Sequence, residues 1–501
     1  MRINNDKNAS LNLQIIRSKK NMKFLKRLTP FTLPLLLAAC GNDDLAEFSV
    51  QAPDTYEFSS LTDPSAPSSV DYKEATTRLM LIKELEYLIG SDYLQHVGHN
   101  SGKEAVLDLL NAIYQGGTKT NVTSLVNSNI YDKYDPENEE EPGKTAIRSI
   151  ELETGDSLLQ ASFDDLTKGI NLRDIMPGKG TPLIHQENSK DLFVGWSPGN
   201  KDQGDMPDYL IQTWFTGIAG LAVDSNAEGE ADLSTKYYSV MDFKQLITTF
   251  LRGSIGYMQS ASIHLDFENG LAASNNSDVT TPYTNLQHQW DMAFGYFGSP
   301  TNANLLELTQ LKGTAYFDAN NDNSIDLTSE YNFYFSDNAA TRDADATLFD
   351  TRFHRNIQSG FLAGRALIDY QVYDKSLDPD SLKIELSQIK NDILDTWETS
   401  IAAKMIHHIN IIAVVAPKWE LSEIYNSSYL YHWSELKALA TILQFNANSK
   451  IDIETLKDIH SDIATQPNKT NVINTFLKKL FKLREALTTT YNFSLEDIEF
   501  W

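Results

Sequence analysis

The chain has a single cysteine, so no internal disulfide can form in any redox compartment. Positive charge is also scarce, with 42 Lys and Arg against 68 Asp and Glu and a net charge of -26. Eight of those basic residues and only one acid fall within the first 39 positions, which leaves -33 on the remainder. A surface that acidic repels phosphate backbones and argues against nucleic acid as a partner. It suits cation binding, or simply solubility. The common hydrolase signatures are missing too. No His-Glu-x-x-His occurs, and Gly253-Ser-Ile-Gly256 fails as a nucleophile elbow because Arg252 stands where the first glycine is needed. Strand-rich blocks and short-period repeats are likewise missing. At 501 residues the chain can build a large core, with two or three domains as the prior.

The one cysteine has a clear context. Met22-Lys-Phe-Leu-Lys-Arg27 is a basic stretch, residues 28–37 are a short apolar run, and Leu37-Ala-Ala-Cys40 closes it. A run of ten residues is too short to cross a bilayer as a helix, and the charge layout is that of a secretion signal. The tetrapeptide resembles the bacterial lipobox, whose cysteine is lipidated and becomes the new N-terminus. The expectation is a signal peptide over 1–39 with Met22 as the natural start, then a lipid anchor at Cys40. Gly41 in place of Asp favours the outer membrane. Residues 40–70, rich in Ser, Pro and Asp, read as a flexible tether, although Thr55-Tyr-Glu-Phe58 is aromatic enough to dock on the body.

From residue 71 to 501 the apolar spacing is helical. Helices are expected over 72–89, 103–114, 209–223, 242–265, 284–298, 350–373, 379–415, 419–445 and 470–491, with Pro417 breaking the run between the 379–415 and 419–445 helices. Residues 150–235 are the least readable. Gly143-Lys-Thr145, inside an acidic loop, superficially resembles a phosphate-binding loop, but Asn138 occupies the position of the required earlier glycine. The fold class is mainly α, made of helix bundles, with an irregular acidic insertion at 313–346.

That insertion holds Asp318-Ala-Asn-Asn-Asp-Asn-Ser-Ile-Asp326. Asp318, Asn320, Asp322, Ser324 and Asp326 recur at alternate positions, as the ligands of an EF-hand-type calcium loop do, with an acid at Glu330. Asn323 takes the place of the usual turn glycine, and the acid falls one residue later than in an EF-hand. An isolated structural calcium loop is the expectation. Two His-x-x-acid pairs form a second candidate. His288 and Asp291 share one face of an apolar helix beside Trp290, and His432 and Glu435 share one face of another beside Trp433. Facing each other, two imidazoles and two carboxylates would make a transition-metal ligand set for iron or zinc. Arg365, in Gly364-Arg-Ala366, is a candidate counter-ion to those carboxylates. His407 and His408 are adjacent on a helix, about 100° apart, so at most one is expected to face inward.

Thr55-Tyr-Glu-Phe58, Thr77-Arg-Leu79, His288-Gln-Trp-Asp-Met-Ala-Phe-Gly-Tyr296, the Asp318–Glu330 loop, Gly364-Arg-Ala366, His432-Trp-Ser-Glu435 and Tyr491-Asn-Phe-Ser494 follow one another in that order. The set resembles the bacterial lipoprotein family catalogued as domain of unknown function 4856, over about residues 53–501. More distantly it is similar to the imelysin-like proteins, all-helical periplasmic proteins linked to iron or haem uptake and marked by Gly-x-His-x-x-Glu. His288 and Asp291 fit that His and acid, with Leu286 in place of the glycine. The resemblance implies an outer-membrane-anchored, periplasm-facing binding lipoprotein that serves iron, haem or another metal, with structural calcium and with an envelope uptake protein as a candidate partner. Two other readings remain open: a calcium-stiffened scaffold for a protein or glycan partner, and a metal-dependent hydrolase.

Overall fold

The computed structural model describes residues 50–116 (except 91), 169–178, 193–196, 206–223 and 241–501, the last stretch apart from 278–279, 315, 322–324, 327, 347–350, 375 and 471. The stretch expected to be a signal peptide, Cys40 and the acidic loop before Gly143 lie outside the described residues, as does most of 150–205.

The described chain is mainly helical. In order it forms α1 (Lys73–Ile89), α2 (Asp92–Ser101), α3 (Lys103–Gln115), α4 (Met206–Ala222), α5 (Phe243–Leu251), α6 (Asn285–Phe297), α7 (Tyr334–Asp345), α8 (Phe353–Tyr373), α9 (Pro379–Val415), α10 (Glu423–Ile442), α11 (Ile453–Ile463), α12 (Leu477–Tyr491) and α13 (Leu495–Phe500), plus short turns. Among the described residues no strand forms, and one isolated antiparallel bridge joins Tyr316 to Tyr331.

Local chemistry accounts for the boundaries. α6 starts in a reciprocal cap: the Thr284 hydroxyl accepts from the Gln287 amide N–H, and the Gln287 side chain accepts from Thr284 N–H. It stops at Gly298, whose φ of 76° is left-handed and whose missing side chain leaves room for Phe333. Asp378 caps α9 and Pro379 takes its first position, where a missing N–H costs nothing. At the far end Pro417 closes the helix in a single 3₁₀ turn, Ala416–Lys418. By length and composition the stretch Pro379–Lys418 could cross a membrane, but 61% of its most apolar window is buried inside the fold. It is the central core helix. α8, α10, α12, α7 and α13 pack around it, α10 also packs on α5, and α6 lies between α1 and α8.

Four expectations change. The helix expected over 242–265 is α-helical only to Leu251 and then runs on as π-turns over Arg252–Tyr257 and Ser260–His264. Gly253 sits hard against Ile442 there, so that any side chain would collide. Tyr334–Asp345, expected within the irregular insertion, is helix α7. α2 and α11 were not foreseen, because both are short and carry more polar than apolar positions. The tether ends well before residue 70. Tyr56 stacks on Phe294 with ring centroids 3.7 Å apart, and the Ser60 and Thr62 hydroxyls donate to the carbonyls of Pro282 and Thr281.

Candidate functional site

The two His-x-x-acid pairs are not brought to one point. Each belongs to a separate polar centre in the interior.

At the first, Asp291 and Arg365 are both 0% exposed and meet at 2.9 Å between Arg365 Nε and Asp291 Oδ1. The same oxygen accepts from the Tyr56 hydroxyl at 2.8 Å, and Oδ2 accepts from Asp71 N–H at 3.3 Å. Arg365 also donates to Ser69 Oγ, contacts Asp369, and lies over the Phe58 ring. Burial pushes the Asp291 carboxyl upward, against the pull of Arg365 and Tyr56. Its neighbour Trp290 donates to Phe361 O at 2.9 Å across Gly364, where a β-carbon would strike the indole at 2.0 Å. His288 is half-buried, stacks on Tyr283, and has Nδ1 3.1 Å from Asp71 O. The centre ties the segment before α1 to α6 and α8. With Asp291 neutralised by arginine, it is a structural ion pair.

The second centre lies between α9 and α10, which run antiparallel. Glu435 Oε1 accepts from the Tyr334 hydroxyl at 2.5 Å and from Lys404 Nζ at 3.1 Å. Its Oε2 lies 3.5 Å from His408 Nε2, and neither atom makes a hydrogen bond. On the other side of that imidazole, His408 Nδ1 is 2.8 Å from His432 Nδ1. His407 completes the group. Among the described residues, His407, His408 and His432 are the histidine or acid side chains whose ligand atoms all lie within 4.8 Å of one another. No three of His288, Asp291, His432 and Glu435 do so, which corrects the expected shared site.

Burial holds all three rings neutral. It pushes His407 down to about 3, His432 down to about 4, and His408 well below the ordinary imidazole range. Glu435 goes the other way. Burial raises it, but the Lys404 ammonium and the Tyr334 hydroxyl outweigh burial and hold it ionised. Neutral imidazoles backed by a carboxylate are the form in which histidine binds metals. Sequence spacing identified His432 and Glu435 as one face of α10 but assigned them the wrong partners. Both adjacent histidines of α9 approach His432, although only His408 is fully buried. The signal was present in the pair of neighbouring histidines on one apolar helix, but it could not be read without knowing which helix packs on α9.

Beside this centre Glu435, Lys404 and Tyr334 also form one wall of a cavity of about 280 Å³. Lys83, Glu86 and Arg252, from α1 and the first π-turn, line the same cavity, with the Arg252 guanidinium 4.4 Å from the centre of the Tyr334 ring.

No known protein family, curated protein or solved structure matches the chain.

The candidate calcium loop is closed by its own acid. Glu330 is buried, its Oε1 accepts from Ala319 N–H and its Oε2 from Asp326 N–H, each at 2.8 Å. Phe317 N–H donates to Glu330 O, and Asp326 Oδ1 accepts from Thr328 N–H. Asn321 supplies the left-handed turn with φ 58°. Asp318, Asn320 and Asp326 are on this loop, while Asp322 and Ser324 lie outside the described residues.

Proposed function

We propose that this chain is a lipid-anchored protein of the bacterial envelope that binds a divalent transition-metal ion through His407, His408 and His432. The observation that carries the reading is the pair of ring nitrogens, His408 Nδ1 and His432 Nδ1, facing each other at 2.8 Å inside a cluster of three neutral imidazoles. Two lone pairs at that separation repel unless a proton or a cation lies between them. With bonds of about 2.0–2.1 Å, two imidazoles on a tetrahedral ion stand roughly 3.3 Å apart, so a small opening of the pair admits the metal. Imidazole donors suit zinc, copper, nickel and iron. Glu435 stands behind His408 and would orient its ring by accepting from Nε2–H. The donors converge tightly enough for a bare ion, which favours ion over haem. The basic stretch before Leu37-Ala-Ala-Cys40 supports the envelope anchor, and the motif order from Thr55 to Ser494 supports kinship with the imelysin-like lipoproteins.

Protein stripped by chelator should take up one zinc or nickel ion per chain in a calorimetric titration. His432→Ala should weaken that binding by roughly a hundredfold, and Glu435→Gln by roughly tenfold, as loss of an outer partner does. A wild-type affinity that survives His408→Ala combined with His432→Ala would rule the site out.

The loop at Asp318 supports structural calcium as part of the same reading. Saturating calcium at about a hundred times its dissociation constant should stabilise the fold by about 2.7 kcal/mol. Asp318→Ala with Asp326→Ala should remove that response in thermal melts. Identical wild-type melting with calcium and with chelator would exclude the ion.

A further inference from the structure

The cavity beside Glu435 has one more positive charge around it than its acids offset. Lys83, Arg252 and Lys404 line it, with Glu86, Asp337 and Glu435. Glu435 and Lys404 pair at 3.1 Å. Asp337 accepts from Gly313 N–H and lies against Arg342, which shares Asp345 with Lys312, so those two acids and two cations cancel. Glu86 is outnumbered. Its Oε2 lies 2.5 Å from Arg252 Nη2 and 3.6 Å from Lys83 Nζ, so both cationic heads stand on one oxygen. Burial pushes the Glu86 carboxyl upward, but Arg252, Lys83 and Lys244 outweigh burial and hold it below the usual range. Lys244 also acts on Asp242, which leaves Arg252 and Lys83 sharing a single acid. Arg252 is only 6% exposed and gives one of its five N–H groups to Glu86. The others meet no acceptor among the described residues and open onto the cavity that the residue lines.

We infer that this cavity binds a small monocarboxylate, its carboxylate bridging Arg252 and Lys83. The guanidinium has unused donors, and its planar fork matches the two oxygens of a carboxylate. One negative charge cancels the excess; a metal cation would be repelled, and a dianion such as phosphate would overshoot. Arg252 is fixed by Glu86 and by the Tyr334 ring, so little side-chain order is lost on binding. The rest of the cavity suits the body of a small organic acid. Its volume, about 280 Å³, is at the small end of ligand sites, and Leu79, Phe333 and Tyr334 line it together with Thr314 and Gln245. The Gln245 side-chain amide has no hydrogen-bond partner among the described residues, so it is free to meet a ligand hydroxyl or carbonyl. Arg252 also opens a π-turn, a local form that recurs at functional sites. None of these groups belongs to the proposed histidine site, so the two sites stand or fall separately.

The test uses chelator-stripped full chain, so that no metal complex with the probe can contribute. L-lactate, D-gluconate and benzoate carry one carboxylate on bodies of different polarity, and each is titrated by calorimetry at low salt. At least one should bind, and its carboxamide should bind roughly tenfold more weakly or worse. Lys83→Gln, on a residue exposed enough to be replaced without harm to the fold, should weaken the acid by a similar factor and leave the carboxamide unchanged. Glu86→Gln removes the competing acid and should tighten the carboxylate severalfold, a gain that a merely structural ion pair would not produce. The inference fails if none of the three acids binds up to about 10 mM, or if acid and carboxamide bind alike. It fails equally if Lys83→Gln leaves the affinity unchanged, if Glu86→Gln lowers it, or if inorganic phosphate binds more tightly than every carboxylate.

Discussion

Arg365→Met should destabilise the fold by about 3–5 kcal/mol, because it strands the Asp291 carboxylate in the core with no cation beside it. Asp291 and Arg365 have no solvent exposure, and the pair is joined by Tyr56, Ser69 and Asp369. Breaking such a pair costs far more than replacing it. Asp291→Leu together with Arg365→Met should therefore recover most of the loss, since the apolar pair leaves no buried charge. Urea denaturation of the two variants measures this. A single-variant cost under about 1 kcal/mol would mean that Asp291 finds another donor or takes up a proton without penalty. The same experiment reports on the docked N-terminal segment. Tyr56 and Ser69 hold this pair from outside the helices, so Arg365→Met should also expose that segment to protease before the rest of the chain.

Acid should destabilise the protein through histidines that have nothing to do with the proposed metal. His264 and His354 are buried, and burial pushes them down to about 4 and about 3. His264 Nδ1 donates to the Gln289 side-chain carbonyl, while His354 Nε2 lies within hydrogen-bond distance of the hydroxyls of Ser336 and Ser299. The sign follows from which state binds the proton. Below 6.5 the unfolded chain takes up protons that the folded chain refuses. The stability from each neutral ring is therefore complete above 6.5 and is lost as pH falls toward the folded value. Each ring should account for about 3 kcal/mol by pH 4. Asp343 and Asp242, raised to about 7 and about 6 by burial, push the opposite way over part of this range. The informative quantity is thus the difference between wild type and His354→Leu. That difference should shrink steadily between pH 6.5 and pH 4 in denaturant titrations. A difference independent of pH would mean that His354 titrates alike in both states.

These two effects show why the helices were legible and the sites were not. The apolar stripe of Leu286, Trp290, Ala293, Phe294 and Phe297, the cap at Thr284 and the stop at Gly298 are local features. They specify α6 nearly to the residue. Pro379 and Pro417 bound α9 in the same way. Where local signals were mixed, the reading failed. α7 lies in a stretch with many Asp and Asn residues that favour turns by themselves, and it forms because Phe335, Ala339 and Ala340 bury against neighbouring helices.

By itself, the sequence determined that the chain would be helical and where most of its helices would begin and end. It also showed that His288 with Asp291, and His432 with Glu435, would each occupy one side of a helix. Those facts depend on contacts three and four residues apart, which every helix makes alike. Only the tertiary structure decided what each pair would meet. α6 packs between α1 and α8, so Asp291 meets Arg365 and Tyr56. α10 packs on α9, so His432 meets His408 and Glu435 meets Lys404. A buried carboxylate must find a cation or donors, and a helix face offers it to whichever neighbour the packing supplies. That choice depends on how the full set of apolar stripes fits together, with Gly364 yielding to Trp290 and Gly253 to Ile442, and no spacing within a single helix contains it.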